Sequence, residues 1–223
     1  MQLIELGKVK SNYIDKLGTP RQPGIIESSK AQIIFDKQSF LIDHFRELQK
    51  FDRIWVIFGF HKSSESYSGA TIRPPRLKGK RIGVFASRTP HRPNPIGMSC
   101  VKLRSIEQTQ ESIILHIEGE DMINETPVYD IKPYIPEYDA FINSSNGWLP
   151  EASDNQLSDV LIDCSHEHVD SSLIKLCKQL YLNDCRPHYH DEGRSYTNRL
   201  GDWDITWHVI DNKCVITQIK SLV

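Results

Sequence analysis

A chain of 223 residues, 39% hydrophobic and 25% charged, can bury a core and is too polar to be a stack of membrane spans. No apolar run approaches the ~18 residues that cross a bilayer. The opening MQLIELGKVKS lacks the basic-then-apolar pattern of a secretory leader. Five cysteines (Cys100, Cys164, Cys177, Cys185 and Cys214) are scattered without a CxxC, as in a reduced, cytoplasmic protein. The net charge of −2 hides an asymmetry: Ser66 to Ile106 holds nine basic residues and no acid, whereas from Glu151 onward twelve acids face seven bases. A basic middle suits an anionic partner such as nucleic acid, although lysines and arginines also cluster without one.

In chain order, Leu3 to Val9 reads as a strand, and Leu17 to Gly24 (LGTPRQPG) as a loop stiffened by two prolines. Ala31 to Phe35 is a short strand. Ser39 to Phe51 carries apolar residues at Phe40, Leu41, Phe45, Leu48 and Phe51, a spacing that predicts a helix capped by Ser39. Arg53 to Phe60 (RIWVIFGF) is a buried strand that exits at His61 and Lys62. Tyr67 to Lys80 is a basic loop. Arg81 to Ser87 and Ile96 to Leu103 read as strands, Ser112 to Glu118 alternates, and Thr126 to Ile135 is a strand ended by prolines. These short strands predict a mainly β fold with some α: a small β-barrel core over residues 1–138.

Residues 139–156 are polar and loose, as in a linker. Residues 157–223 predict a small α+β C-terminal domain. It comprises a strand at Val160 to Cys164, helical spacing over Ser165 to Leu182, and a hairpin of Trp203 to Ile210 and Cys214 to Ile219. Here Arg186, His188, His190, Arg194 and Arg199 interleave with Tyr189 and Tyr196, a pattern that can grip phosphate and stack on bases, or simply pack over the barrel.

The densest chemistry is RIGVFASRTPHRPNPIGMSCV, Arg81 to Val101. Pro90, Pro93 and Pro95 stiffen a loop that presents Arg88, His91, Arg92 and Asn94. There is no Walker A motif and no GxGxxG after a strand, so neither a P-loop nor the ordinary Rossmann site is visible. The pairs His166-x-His168 and His188-x-His190 lack the further ligands of a metal site, and no metal is expected. Cys100, inside a strand, reads as core rather than nucleophile.

These residues resemble the TsaA-like (TrmO-type) tRNA adenosine methyltransferases. The resemblance rests on RPNPIG after a strand and an arginine, on TPVYDIKPYIP (Thr126 to Pro136), and on PRQPG, RPPRL, RPHY and WDITW, so it covers nearly the whole chain. It implies a homodimeric enzyme that uses S-adenosylmethionine to methylate the exocyclic N6 of threonylcarbamoyladenosine, next to the anticodon of threonine tRNA. By the family's pattern the cofactor contacts fall on Pro20, Arg21, Gln22, His61, Lys62, Arg88, Gly97, Met98, Asn124, Glu125 and Thr126. Asp130, Asp121 and His91 are candidates for the group that assists the poorly nucleophilic nitrogen. Asp130 could equally brace the Arg88 loop. Arg73, Arg76, Arg92, Arg186 and Tyr189 are candidate RNA contacts, with Arg92 alternatively holding its own loop. The chain departs from the family at Asn124-Glu125-Thr126, where Asp-Gly-Thr is common. That change leaves room for a non-catalytic RNA- or nucleotide-binding module that retains the barrel.

Overall fold

In the computed structural model, which describes residues 2–63, 69–77, 79–151, 156–165, 168–186 and 190–223, the period-two apolar positions converge on one interior. Six antiparallel strands contribute: β1 (Gly7–Lys10), β2 (Lys30–Asp36), β3 (Arg53–Gly59), β6 (Ile96–Gln108), β7 (Ser112–Glu118) and β8 (Pro127–Pro133). Between β3 and β6 lies a two-stranded ribbon of β4 (Thr71–Ile72) and β5 (Ile82–Gly83). The six long strands run in the order β1-β2-β7-β6-β3-β8, and β8 pairs back onto β1, closing a barrel. Closure leaves no unpaired edge. Val9, Ile33, Phe35, Ile54, Val56, Val101, Ile113, Leu115, Ile117 and Val128 fill it, none more than 2% exposed.

Two sequence expectations give way to tertiary packing. The helix expected over Ser39 to Phe51 is instead two 3-10 turns, Ile42–Phe45 and Leu48–Lys50. Arg46 is extended and Glu47 is left-handed (φ 70°), which ends any continuous helix. Ser39 caps nothing and donates to Asp36 Oδ2 at 3.1 Å. The apolar spacing there serves plugging: Phe40 and Phe45 pack edge-on against Phe35, with ring centroids 5.7 and 5.0 Å apart. The strand expected over Arg81 to Ser87 shrinks to β5 followed by a 3-10 turn, Val84–Ala86, because the chain must leave the ribbon and turn toward the barrel mouth.

The segment read as a linker is partly ordered. α1 (Pro136–Asp139) leads into it, it holds a 3-10 turn at Leu149–Glu151, and Trp148 Nε1 donates to the Ala86 carbonyl at 2.8 Å. Beyond it, β9 (Asp159–Ile162), α2 (Ser171–Leu182), β10 (Tyr196–Leu200), β11 (Trp203–Ile210) and β12 (Lys213–Ser221) form a separate sheet, ordered β10-β11-β12-β9, with α2 on one face. Asp170 caps α2 by accepting from Ser172 N at 2.6 Å. Asp211 and Asn212 both have positive φ, the geometry that a two-residue hairpin turn requires. β10 escaped the sequence reading.

The two units share core. Tyr13, from the loop after β1, is fully buried among Leu200, Tyr181 and Trp207 of the second unit, and Ile26 joins it. Gly201 N donates to Asn12 O at 2.7 Å, and Arg199 N to Asp15 Oδ2 at 2.8 Å.

Candidate active site

Because the barrel strands alternate in direction, the exits of β1, β3 and β7 and the entries of β2, β6 and β8 all lie at one end. Most of the residues singled out in the sequence sit on the loops between these strands; Gly97, Met98 and Asp130 lie within strands and Arg186 in the second unit. The loop before β6 brings Arg88, whose Nη1 donates to Gln22 Oε1 at 2.5 Å. The Pro-Arg-Gln loop and the Arg-Pro-Asn loop, 66 residues apart in sequence, are thereby joined. Pro20 is buried and anchors the first of them. Arg21 donates to the Arg186 carbonyl at 3.2 Å. Arg92 donates from Nη1 to Ser87 O at 3.4 Å, a bond within its own loop. His91 is exposed, and its backbone N donates to Thr89 Oγ1 at 3.3 Å.

The exit of β3 supplies His61 and Lys62. Lys62 Nζ donates to Ile14 O at 2.6 Å. Thr126 gives its hydroxyl proton to Ile123 O at 2.6 Å, which leaves its oxygen facing His61 Nδ1 at 3.4 Å. Burial, and then the Lys62 ammonium, hold the His61 imidazole below its ordinary value, so it is neutral at pH 7.

The turn that departs from the family has a left-handed backbone at the departing residue. Glu125 has φ 65°, the left-handed region that glycine occupies without strain. Its carboxylate points outward to Lys8 Nζ at 3.3 Å. The three amides of the turn are committed inside the protein: Asn124 N to Tyr13 O, Glu125 N to Val9 O and Thr126 N to Ile123 O. The turn can therefore offer a ligand carbonyl oxygens and side chains, not N–H groups.

The carboxylate at the mouth is Asp121, just past the end of β7. Its Oδ1 accepts from Ser99 Oγ at 2.5 Å, and it faces Arg88. Burial pushes its pKa up to about 6; the Ser99 hydrogen bond and Arg88 offset only part of that. Asp130 lies elsewhere. It is on the outer face of β8, opposite Ile57, where it pairs with Lys132 at 3.0 Å and accepts from Ile131 N. Beside Asp121, Glu120 is 1% exposed; Oε1 accepts from Ser29 Oγ at 2.5 Å, and Oε2 has no hydrogen-bond partner among the described residues. Burial lifts its pKa to about 7. Glu120, Ser29 and Ser99 were missed in sequence. The available signal was two consecutive carboxylates directly after an alternating apolar strand.

Gly97 and Met98 play different parts from one another. Gly97 faces the interior, where a Cβ would run into the Phe58 ring. Met98 faces outward and is 55% exposed, opposite Ile57. Among the RNA candidates, Arg73 is exposed beside β4, and Arg76 lies on the following 3-10 turn. The Arg186 guanidinium is only 15% exposed and is held by both oxygens of Asp184, at 2.9 and 2.8 Å, so it braces its own loop. Tyr189, His166 and His188 lie outside the described residues, and no group of three metal-ligating side chains occurs among those described. Cys100, expected in the core, is instead half-buried on the outer wall of β6 between inward-facing Ser99 and Val101, and burial raises its thiol above its ordinary value.

Residues 8–140 match the family model described as the tRNA-methyltransferase O N-terminal domain, and residues 154–222 match the TrmO C-terminal domain. The chain belongs to this family. It is 34% identical over 221 residues, 94% of each chain, to a tRNA (adenine(37)-N6)-methyltransferase of Escherichia coli (strain K12). A human protein of the same name is 37% identical over 193 residues, 82% of this chain and 41% of the longer human protein. A crystal structure of TrmO from Pseudomonas aeruginosa superposes with a TM-score of 0.76 at 25% identity, covering 99% of both chains. The barrel mouth just described is thus carried on the family's fold. No helix among the described residues is long and apolar enough to cross a membrane.

Proposed function

We propose that the chain is an S-adenosylmethionine-dependent tRNA methyltransferase that acts on N6 of an adenine next to the anticodon. We further propose that its substrate is threonylcarbamoyladenosine in threonine tRNA. The observation that carries the reading is the convergence at the barrel mouth of Arg88 locked to Gln22, Asp121 with a pKa near neutrality, and neutral His61 against Thr126.

The donor set fits the cofactor. Arg88, oriented by Gln22, matches an α-carboxylate. Lys62 is tied to Ile14 O and holds the loop between β1 and β2 against the mouth. When bound, S-adenosylmethionine supplies a methyl group on a sulfonium, poised for in-line displacement, so positioning accounts for most of the chemistry. The acceptor nitrogen must lose its proton. Asp121 suits that role because a base whose pKa lies near the working pH is available and still strong enough to accept. Asp130 faces away and His91 stands on the exposed loop, so both rank behind it. The binding-only alternative rested on Glu125, whose left-handed φ of 65° is one that glycine also adopts, which supports a turn of ordinary shape and hence the catalytic reading.

We extend the proposal to a homodimer. Ile96 and Met98 are exposed on the outer wall of β6, and Phe141 and Ile142 are exposed beyond α1, at 74% and 95%. A partner covering this face would bring Met98 against a second copy's mouth and give it the cofactor role implied by the family's pattern. Light scattering tests the assembly.

The decisive assay is transfer of labelled methyl to threonine tRNA with and without the threonylcarbamoyl group. Incorporation only into the modified tRNA is expected. Equal labelling of both, or none with cofactor bound, refutes the stated substrate.

A further inference from the structure

A cleft of about 930 Å³ runs between the outer faces of β1, β2 and β7 and the turn joining β10 to β11. Its floor carries Lys10 on β1 and Lys30 on β2, both exposed. Arg104 enters from β6, and Arg199 projects from the opposite wall. That wall is fixed to the barrel: Arg199 N donates to Asp15 Oδ2 at 2.8 Å, Nε donates to Gly201 O at 3.1 Å, and Tyr13 bridges to Leu200. The cleft is therefore preorganised rather than a gap between loose bodies.

Three acids also line it, but two are already engaged. Arg104 holds Glu118 at 2.5 Å, and Lys8 holds Glu125 at 3.3 Å. Lys10, Lys30 and Arg199 then face Asp202 alone, an excess of positive charge. Register sets the spacing. Lys10 is opposite Gln32 and Lys30 opposite Glu118, so the two lysines sit on neighbouring strands two positions apart, roughly 7–8 Å. Among the described residues no Phe, Tyr or Trp lines the cleft, and the His116 imidazole is tied to Glu107 at 2.9 Å. Such a surface holds a chain of phosphates without reading bases. One rim is Asn124 and Glu125, the turn at the candidate active site.

We propose that this cleft is a binding track for the sugar-phosphate backbone of the RNA substrate, leading to the barrel mouth past the Asn124 turn. The proposal rests on the tRNA methyltransferase reading and adds a surface distinct from the basic ribbon at Arg73 and Arg76. The excess of cations over acids is what selects an anionic strand over an acidic or neutral surface.

The test is a double variant, Lys10→Ala with Lys30→Ala, titrated with threonine tRNA across a salt series. Each phosphate contact on a single strand contributes about 0.7 to the slope of log affinity against log salt. The double variant should show a slope shallower by about 1.4 and several-fold weaker binding at low salt. Cofactor affinity by calorimetry and the thermal midpoint should match the parent, and Lys10→Arg with Lys30→Arg should restore both slope and affinity. If the parent binds tRNA and the alanine variant keeps its slope and affinity, the cleft is not the track, while the methyltransferase reading stands. If the parent binds no tRNA at all, the methyltransferase reading fails and takes the track with it.

Discussion

Replacing Glu120 with Gln tests whether its carboxyl is held in a place that suits the neutral form. The side chain is 1% exposed, with one oxygen on Ser29 and the other unpartnered. Burial raises its pKa from 4.5 to about 7. Between those values the folded chain keeps a proton that the unfolded chain releases, so stability falls as pH rises through the window and stays low above it. At 1.36 kcal/mol per pKa unit the loss is about 3 kcal/mol. Gln stays neutral and escapes it, although a new amide N–H without a partner costs about 1 kcal/mol. Urea denaturation should therefore find Glu120→Gln about 2 kcal/mol more stable than the parent near pH 8, and about 1 kcal/mol less stable near pH 4. Repulsion from Asp121 and Glu118 also raises the Glu120 pKa, and Gln, which carries no charge, escapes that contribution together with the burial cost. Parallel stability curves for the two proteins would refute the assignment of Glu120 as the buried proton holder.

Arg88→Ala should weaken S-adenosylmethionine binding at least tenfold by calorimetry with a nearly unchanged thermal midpoint, since the guanidinium is exposed, hydrogen-bonds Gln22 and acts on Asp121 through charge alone. Asp121→Asn should lower the single-turnover methylation rate by about 10²–10⁴. It should also abolish the rate decline that the parent shows as pH falls through about 6; a variant with the parent's pH profile removes Asp121 from the chemistry. Glu125→Val should cost about 1–2 kcal/mol, because a β-branched residue is strained at φ 65°, whereas Glu125→Gly should be near neutral. Equal denaturation midpoints for the two would contradict the left-handed turn. Arg73→Ala should reduce the salt slope of tRNA binding by about 0.7, without effect on cofactor binding.

The barrel was legible because its strands are half-buried and local. Ile113, Leu115 and Ile117 alternate in sequence and are all at most 1% exposed. The failures came where apolar spacing had more than one use. Phe40, Phe45 and Leu48 fit a helical period, but the open end of the barrel needed a plug, and packing on Phe35 overrode local propensity. β10 was missed because its residues YTNRL carry little apolar signal; it is a strand because Leu200 pairs with Trp203 and bridges to Tyr13.

The loops of the candidate site announce themselves in sequence, since proline, arginine and asparagine packed so densely restrict the backbone wherever the chain is placed. Which loops meet is another matter. Gln22 and Arg88 come together only because β1 leaves and β6 enters at the same barrel mouth, and Asp121 rather than Asp130 lies near Arg88 only because strand alternation turns Asp130 outward. Side-chain identity is local, whereas proton affinity depends on burial and on neighbours far along the chain. Glu120 and Asp121 are ordinary carboxylates in the sequence, and burial in the tertiary structure pushes their pKa values up to about 7 and about 6.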